Sequence, residues 1–311
     1  MYYDDFEVEC LGEIEDYVYD IEVKDNHNFF ANNILVHNSN YIDLTDVVFH
    51  PKLKWNLKPE QEIVDLLIDF CDTKLKPYID KNFQKLADDL NAYANTIDMK
   101  REAVGKGIIQ AKARYTLYVY DNENKRYETP ELKIVGLEAI RSSVPKYFRD
   151  SMKTVYKMMY THTEKQIHSK ILELEKEYSE LPIIQIGEPK GVSMAKYTNS
   201  NTKGVFGKGT PSHVKAAFTF NNTIKELKLT EKFQLINEGD KIKLYKLKMP
   251  NPFFNDTIAI LDKVPPEFDL NKYVDRHLMF DKGFIKPIQR ILSVRKWNAY
   301  ETTNLEDLFG Y

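Results

Sequence analysis

Four side chains near the N-terminal end could between them break and remake a peptide bond: His27, His37, Asn38 and Ser39. An asparagine amide can attack its own backbone carbonyl, close a succinimide and cleave the chain after itself. That step is slow unless the leaving nitrogen is protonated and the carbonyl polarised. His37, one residue earlier, is a candidate acid because imidazole titrates near neutral pH. His27 could polarise the carbonyl or relay protons. Ser39 offers a hydroxyl nucleophile able to receive an acyl group arriving from upstream. Acyl transfer followed by Asn38 cyclisation would release everything up to Asn38 and leave Ser39 at a new junction. Asp20 is a fifth candidate, either a catalytic relay or simple strand structure. A His-Asn-Ser tripeptide alone is weak evidence, so the weight falls on the elements around it.

Those elements read as short strands. Ile34-Leu35-Val36 runs straight into His37, Val18 and Asp20 to Val23 look β-like, and Asn32-Asn33 is a turn signal. A 38-residue all-β piece is too small to bury its own core, so it should need a complementary fragment. Tyr19-Asp20-Ile21-Glu22-Val23, Asp25-Asn26-His27-Asn28-Phe29 and the His37-Asn38-Ser39 junction occur in order. Together they resemble the two C-terminal splicing blocks of an intein, over residues 1 to 38. The resemblance implies a Hint-type fragment and a cut between Asn38 and Ser39. Met1 leading directly into these strands implies a split intein whose N-terminal half comes from another gene.

Charge divides the chain in the same place. Residues 1 to 38 hold ten acids and one base, Lys24, for a net −9, whereas the remainder has 43 bases against 37 acids, a net +6. Such asymmetry points to different partners for the two parts: a Lys- and Arg-rich docking region for the first and a polyanion for the second. At 311 residues and 42% hydrophobic, the chain can bury a sizeable core in two or three domains. No apolar run reaches the roughly 18 residues of a membrane span, which argues against a membrane partner. No basic-then-apolar start marks a signal peptide. Two cysteines, Cys10 and Cys71, give neither a disulfide framework nor a metal spacing.

Beyond Ser39 the pattern alternates between helix and strand. Ser39 to Leu44 reads as a strand. Residues 59 to 94 read as two helices broken at Pro77. Gly105-Lys106-Gly107 reads as a turn before one long strand from Ile108 to Tyr120, with a second turn at Asp121 to Asn124. On that long strand Lys112, Arg114 and Thr116 would share a face, and two cations beside the aromatic Tyr115 could grip a nucleic-acid backbone. Residues 145 to 180 read as one long helix or a pair, residues 181 to 265 as β-like, and residues 269 to 297 as helical. Lys203 to Thr210 is a basic hairpin tip: the Gly-Lys-Ser/Thr order of a phosphate loop is missing and no helix is expected to follow. Leu305, Leu308 and Phe309 give the tail anchors at helical spacing, as in a docking peptide.

From Ser39 almost to its last residue the chain resembles the C-terminal third of a family B replicative DNA polymerase of a large tailed bacteriophage. Ser39-Asn40-Tyr41 is similar to the end of the palm motif Tyr-Gly-Asp-Thr-Asp-Ser, Lys100-Arg101-Glu102-Ala103 to Asp-Arg-Glu-Ala, and Lys112-Ala113-Arg114-Tyr115 to Lys-Lys-Arg-Tyr. Lys133 to Glu138 with Ser142 to Pro145 resembles the passage from palm to thumb. Pro211 to Val214, Asn251-Pro252-Phe253 and Phe284 to Pro287 resemble thumb segments.

The resemblance implies an α+β chain: intein fragment 1–38, palm remainder 39–140, mixed α/β thumb 141–303 and a sliding-clamp-binding tail 304–311. It implies duplex contacts from Lys112, Arg114 and Tyr115, a metal-proximal place for Glu102, and Mg²⁺ held by aspartates on the other fragment. The implied partners are that N-terminal polymerase fragment, primer-template DNA, dNTP and the clamp, in the cytoplasm of an infected bacterium. Ala113 and Lys100 depart from the motifs, weakening one DNA contact and any metal role near residue 100. The implied activity is DNA-directed DNA synthesis after trans-splicing, with none from this chain alone. The alternative is an unspliced DNA- and clamp-binding subunit held to the other fragment without a covalent bond.

Overall fold

The computed structural model describes residues 28–31, 34–37, 42–197 and 203–301. The chain forms two compact units, one of Met1–Gly105 with Val119–Pro130 and one of Lys106–Tyr118 with Glu131–Tyr311.

In the first unit β1 (Asn28–Ala31) pairs antiparallel with β2 (Ile34–His37), through Phe29↔Val36 and Phe30↔Leu35, and closes on Asn28↔His37. Aromatic and β-branched residues on both strands favour this pairing. Asp20, His27, Asn38 and Ser39 lie outside the described residues. The strand expected up to Leu44 is not continued in residues 42–44; a helical turn, α1 (Thr45–Val48), follows instead. Asp43 explains the change, because its carboxylate accepts from the Thr45 backbone N–H at 2.9 Å, a local bond that competes with strand pairing.

Pro77 does not break its helix either. α2 (Glu60–Phe70) widens into a π-helical turn, Cys71–Leu75, and continues as α3 (Lys76–Asp89). Proline lacks an N–H and its ring clashes with the carbonyl four residues back; one extra residue in the turn relieves both problems. Among these helices only Val64 and Ala87 are buried, so the helices contribute little core.

β3 (Ala103–Ala111), β4 (Arg114–Asn122) and β5 (Lys125–Val135) form a sheet in that order. Gly105 to Gly107 is therefore strand, not turn. The long strand expected from Ile108 to Tyr120 is a hairpin turning at Lys112-Ala113, with Ala113 at φ 54°. The second turn falls where expected, with Glu123 and Asn124 at φ 48° and 67°, the mirror-image geometry that matches strand twist. Because of the first turn, Lys112, Arg114 and Thr116 do not share an exposed face. Thr116 is wholly buried, and its hydroxyl lies 2.7 Å from that of Tyr160.

The second unit is built on α4 (Lys146–Thr161) and α5 (Glu164–Glu180), the pair expected after Pro145. α4 buries Phe148, Met152, Val155 and Met159, one helical stripe. A reciprocal cap between Thr163 and Gln166 starts α5 cleanly. After the short α6 (Ile183–Ile186), β6 (Glu188–Gly191), β7 (Lys241–Lys246) and β8 (Thr257–Ile260) form an antiparallel sheet. The β-like reading of residues 181 to 265 misses α7 (Ser212–Glu226), which packs on β8. A helix thus does follow the glycine-rich segment, although Lys208-Gly209-Thr210 still lacks the phosphate-loop order.

The helical end holds as α8 (Leu270–Tyr273), α9 (Arg276–Phe280), a second π turn at Asp281–Ile285, and α10 (Lys286–Leu292). This π turn also runs directly into a Lys-Pro pair, Lys286-Pro287. The same cause produces the same irregularity in both units. Among the described residues no helix is long and apolar enough to cross a membrane.

Candidate nucleic-acid interface

The basic candidates converge on one corner of the second unit. Gly136, just after β5, has φ +64°, and a Cβ there would lie 1.9 Å from the backbone oxygen of Ala113. Only glycine allows this approach, which seats the Lys112-Ala113 turn against the chain leaving the sheet. One helical turn, Glu138–Ile140, follows and aims Glu138 back at β4.

Arg114 meets it. Its Nη2 donates to both carboxylate oxygens of Glu138, at 2.8 and 3.0 Å, and its Nε donates to Gln110 Oε1 at 3.3 Å. The two side chains are 25% and 15% exposed, sheltered enough for the pair to matter. Arg290 Nη1 from α10 lies 3.6 Å from the same Glu138 Oε1. Arg141 Nη2 donates to the Gly136 carbonyl at 2.9 Å. Burial pushes the Glu138 carboxyl up; the Arg114 hydrogen bond, a backbone hydrogen bond and the Arg114 and Arg141 charges together outweigh it, and the carboxyl is held below its usual range. Tyr115 is half-buried and Lys112 stands exposed at the turn.

Of the candidates read from sequence, the structure thus brings Lys112, Arg114 and Tyr115 to one hairpin end. It adds Glu138, Arg141 and Arg290, which sequence reading missed as site residues. Glu138 stood in a recognisable motif, but nothing in the linear order pairs it with Arg114, 24 residues away.

Arg114→Ala is expected to destabilise the second unit by about 1–3 kcal/mol, since it strands a sheltered carboxylate. The loss should depend on pH. A carboxylate held low in the fold contributes fully above the ordinary glutamate value of about 4.3, and that contribution fades as pH falls through its lowered folded value. Urea unfolding at pH 7 and at pH 3 should therefore show a wide gap between wild type and variant at pH 7 and a narrower one at pH 3. Equal gaps would mean that the pair is not coupled to folding.

The metal expectation rests on the first unit. Glu102 is exposed there, and its carbonyl accepts from the Glu123 N–H at 2.6 Å. Lys100 points outward, 83% exposed, 3.7 Å from Asp98. Arg101 is inserted instead: it pairs with the buried Asp121, with Asn124, and with Asp72 at 3.5 Å. The Lys100 to Ala103 segment is thus anchored through its arginine, and the one deeply buried carboxylate among the described residues, Asp121, is occupied by that cation. Among the described residues no three His, Cys, Asp or Glu side chains are grouped to hold a metal ion. These residues do not fit a Mg²⁺ site. Leu305, Leu308 and Phe309 lie outside the described residues.

The chain is related to phage DNA-directed DNA polymerases over part of their length. It is 29% identical to that of Enterobacteria phage T4 over 267 residues, 81% of this chain and 29% of the polymerase. It is 31% identical to that of Escherichia phage RB69 over 264 residues, 80% of this chain and 28% of the polymerase. The chain therefore spans less than a third of the length of the curated relatives it matches. No protein-family model matches it.

Proposed function

We propose that this chain is the precursor of the palm-and-thumb part of a family B phage DNA polymerase, joined to the rest of that enzyme by protein trans-splicing. The observation that carries the polymerase reading is the relation to two phage polymerases over four-fifths of this chain but less than a third of theirs. Residues 39–140 act as the palm remainder, 141–303 as the thumb and 304–311 as a sliding-clamp contact through Leu305, Leu308 and Phe309. Lys112, Arg114 and Tyr115 face primer-template DNA. The Mg²⁺-binding aspartates and most of the dNTP site come from the N-terminal fragment, with Glu102 nearby. The enzyme works in the cytoplasm of the infected bacterium.

The splicing reading concerns residues 1–38. It is supported by the ordered His27, His37, Asn38, Ser39 set and by the β1–β2 register, whose end pair Asn28↔His37 lies one residue inside both His27 and Asn38. About a fifth of the chain falls outside the polymerase match, room enough for such a segment. Ser39 accepts the acyl group, Asn38 cyclises, His37 assists cyclisation, His27 assists one or both steps, and Asp20 relays or braces.

Mixing the full chain with the N-terminal fragment and recording intact masses tests the whole reading. The expected result is a ligated product plus a released peptide of residues 1–38 ending in succinimide or asparagine. Unchanged masses with a stable complex would replace splicing by the second reading, a DNA- and clamp-binding subunit held without a covalent bond. Nucleotide incorporation by this chain alone would overturn the fragment reading.

A further inference from the structure

We infer that Arg141 and Arg290 form, beside Lys112, a phosphate-binding corner that takes the backbone of duplex DNA. This rests on the DNA-handling reading above and assigns two residues that it does not include. Arg114 and Arg290 pair with a single carboxylate, Glu138, while Arg141 and Lys112 flank the turn beside it. Arg114 and Arg290 reach the same Glu138 oxygen, at 2.8 and 3.6 Å. Arg141 is tied at 2.9 Å to Gly136, the residue that seats the Lys112-Ala113 turn. Lys112, Arg114, Arg141 and Arg290 against Glu138 leave a net charge of +3 on the corner.

The four cations are not equivalent. Arg114 is sheltered and spends its Nη2 and Nε donors on Glu138 and Gln110, so it holds the hairpin end in place as well as facing DNA. Arg290 is 59% exposed, and its contact with Glu138 is an ion pair at 3.6 Å, too long for a hydrogen bond. Arg141 spends one donor on Gly136, and a guanidinium carries five in a planar fork suited to phosphate. Lys112 makes no ion pair among the described residues and stands at the tip. Like charges packed this closely repel one another unless an anion joins them. Glu138 neutralises one and orients two. A run of backbone phosphates supplies the rest and, unlike a single carboxylate, can meet Lys112, Arg141 and Arg290 in succession.

Binding of the full chain to fluorescent primer-template DNA across a salt series tests this. Each phosphate contact contributes about 0.9 to the steepness of log affinity against log salt. Arg290→Gln and Arg141→Gln should each flatten the slope by about that amount, and the double variant by about twice as much. Arg290→Lys, which keeps the charge, should restore most of the steepness, and Lys165→Gln on exposed α5 should leave the slope unchanged. Far-UV circular dichroism melts confirm that each variant is folded. Wild-type slopes in folded Arg290→Gln and Arg141→Gln would overturn the corner while leaving DNA binding in place. Absence of wild-type binding would overturn the DNA reading and the corner with it.

Discussion

Phe148→Ala is expected to lower the unfolding free energy of the second unit by about 3–5 kcal/mol, at the upper end for truncating a buried aromatic. Phe148 is fully buried on α4 and sits among four rings: Tyr178 at 4.9 Å between centroids, Phe280 at 5.9 Å, and Tyr147 and Phe284 at 6.1 Å. On its remaining side the ring presses against Gly283 in the π turn, where a Cβ would lie 2.4 Å from Phe148 Cε2. A glycine has no side chain to swing into the space that alanine would open, and packed rings shift little, so most of the cavity should persist. The same turn feeds α10 and Arg290, so DNA binding should weaken together with stability. Urea unfolding followed by far-UV circular dichroism reads the first effect and the salt slope the second. A loss below about 1 kcal/mol would mean that α4 is not held through this aromatic cluster.

What the sequence disclosed of this arrangement depended on how local the cause was. The stripe Phe148, Met152, Val155, Met159 is a local periodicity, and α4 with α5 follows from it. The turn at Glu123-Asn124 is likewise local, written in the residues that tolerate positive φ. The turn at Lys112-Ala113 was invisible because neither residue favours it; Gly136, 23 residues further on, makes room for the Ala113 carbonyl. That single distant contact splits one expected strand into two and moves Thr116 from a basic face into the core. Pro77 misled in another way. It was read as a break, but the chain absorbed the missing N–H by widening one turn, so the helix runs on, as does the one through Pro287 that was read as helical. The basic character of the site was legible from Lys112 and Arg114, whereas their division of labour was not. It depends on Glu138 and Arg290, which tertiary packing alone brings to the same oxygen atom.

The chemistry proposed for this protein is thus divided between its two ends of charge. In that proposal the acidic segment makes and breaks backbone bonds, and the basic remainder holds a polynucleotide. Neither task needs a metal site within the described residues, where the most buried carboxylate, Asp121, is committed to Arg101. On the proposed reading, the carboxylates for phosphoryl transfer come from the N-terminal fragment.

Asn38→Ala separates these tasks and should have the largest effect of any single change. Without the side-chain amide there is no nucleophile to form a succinimide, so release of residues 1–38 should fall below detection rather than merely slow. The hydroxyl of Ser39 remains. It can still attack the acyl group at the upstream junction, its oxygen forming an ester as the upstream nucleophile departs with its proton. A mixture of the variant with the N-terminal fragment should therefore accumulate a branched species whose mass is that of the variant chain plus the polymerase part of the N-terminal fragment, with the N-terminal intein half released; hydroxylamine should cleave it at the ester. Association of the fragments should survive, because the acidic surface of residues 1–38 loses no charge. Intact mass before and after hydroxylamine distinguishes the outcomes. Continued release of the peptide from Asn38→Ala would exclude asparagine cyclisation as the cleavage step. Release abolished without any branched species would place Ser39 outside the acyl path and reduce residues 1–38 to a cleavage module. The same mixtures, supplied with primer-template and dNTP, report on the other task. Incorporation confined to the ligated wild-type product would mean that the polymerase requires a continuous chain through Ser39, and incorporation by the unreleased variant would show that docking alone assembles the active site.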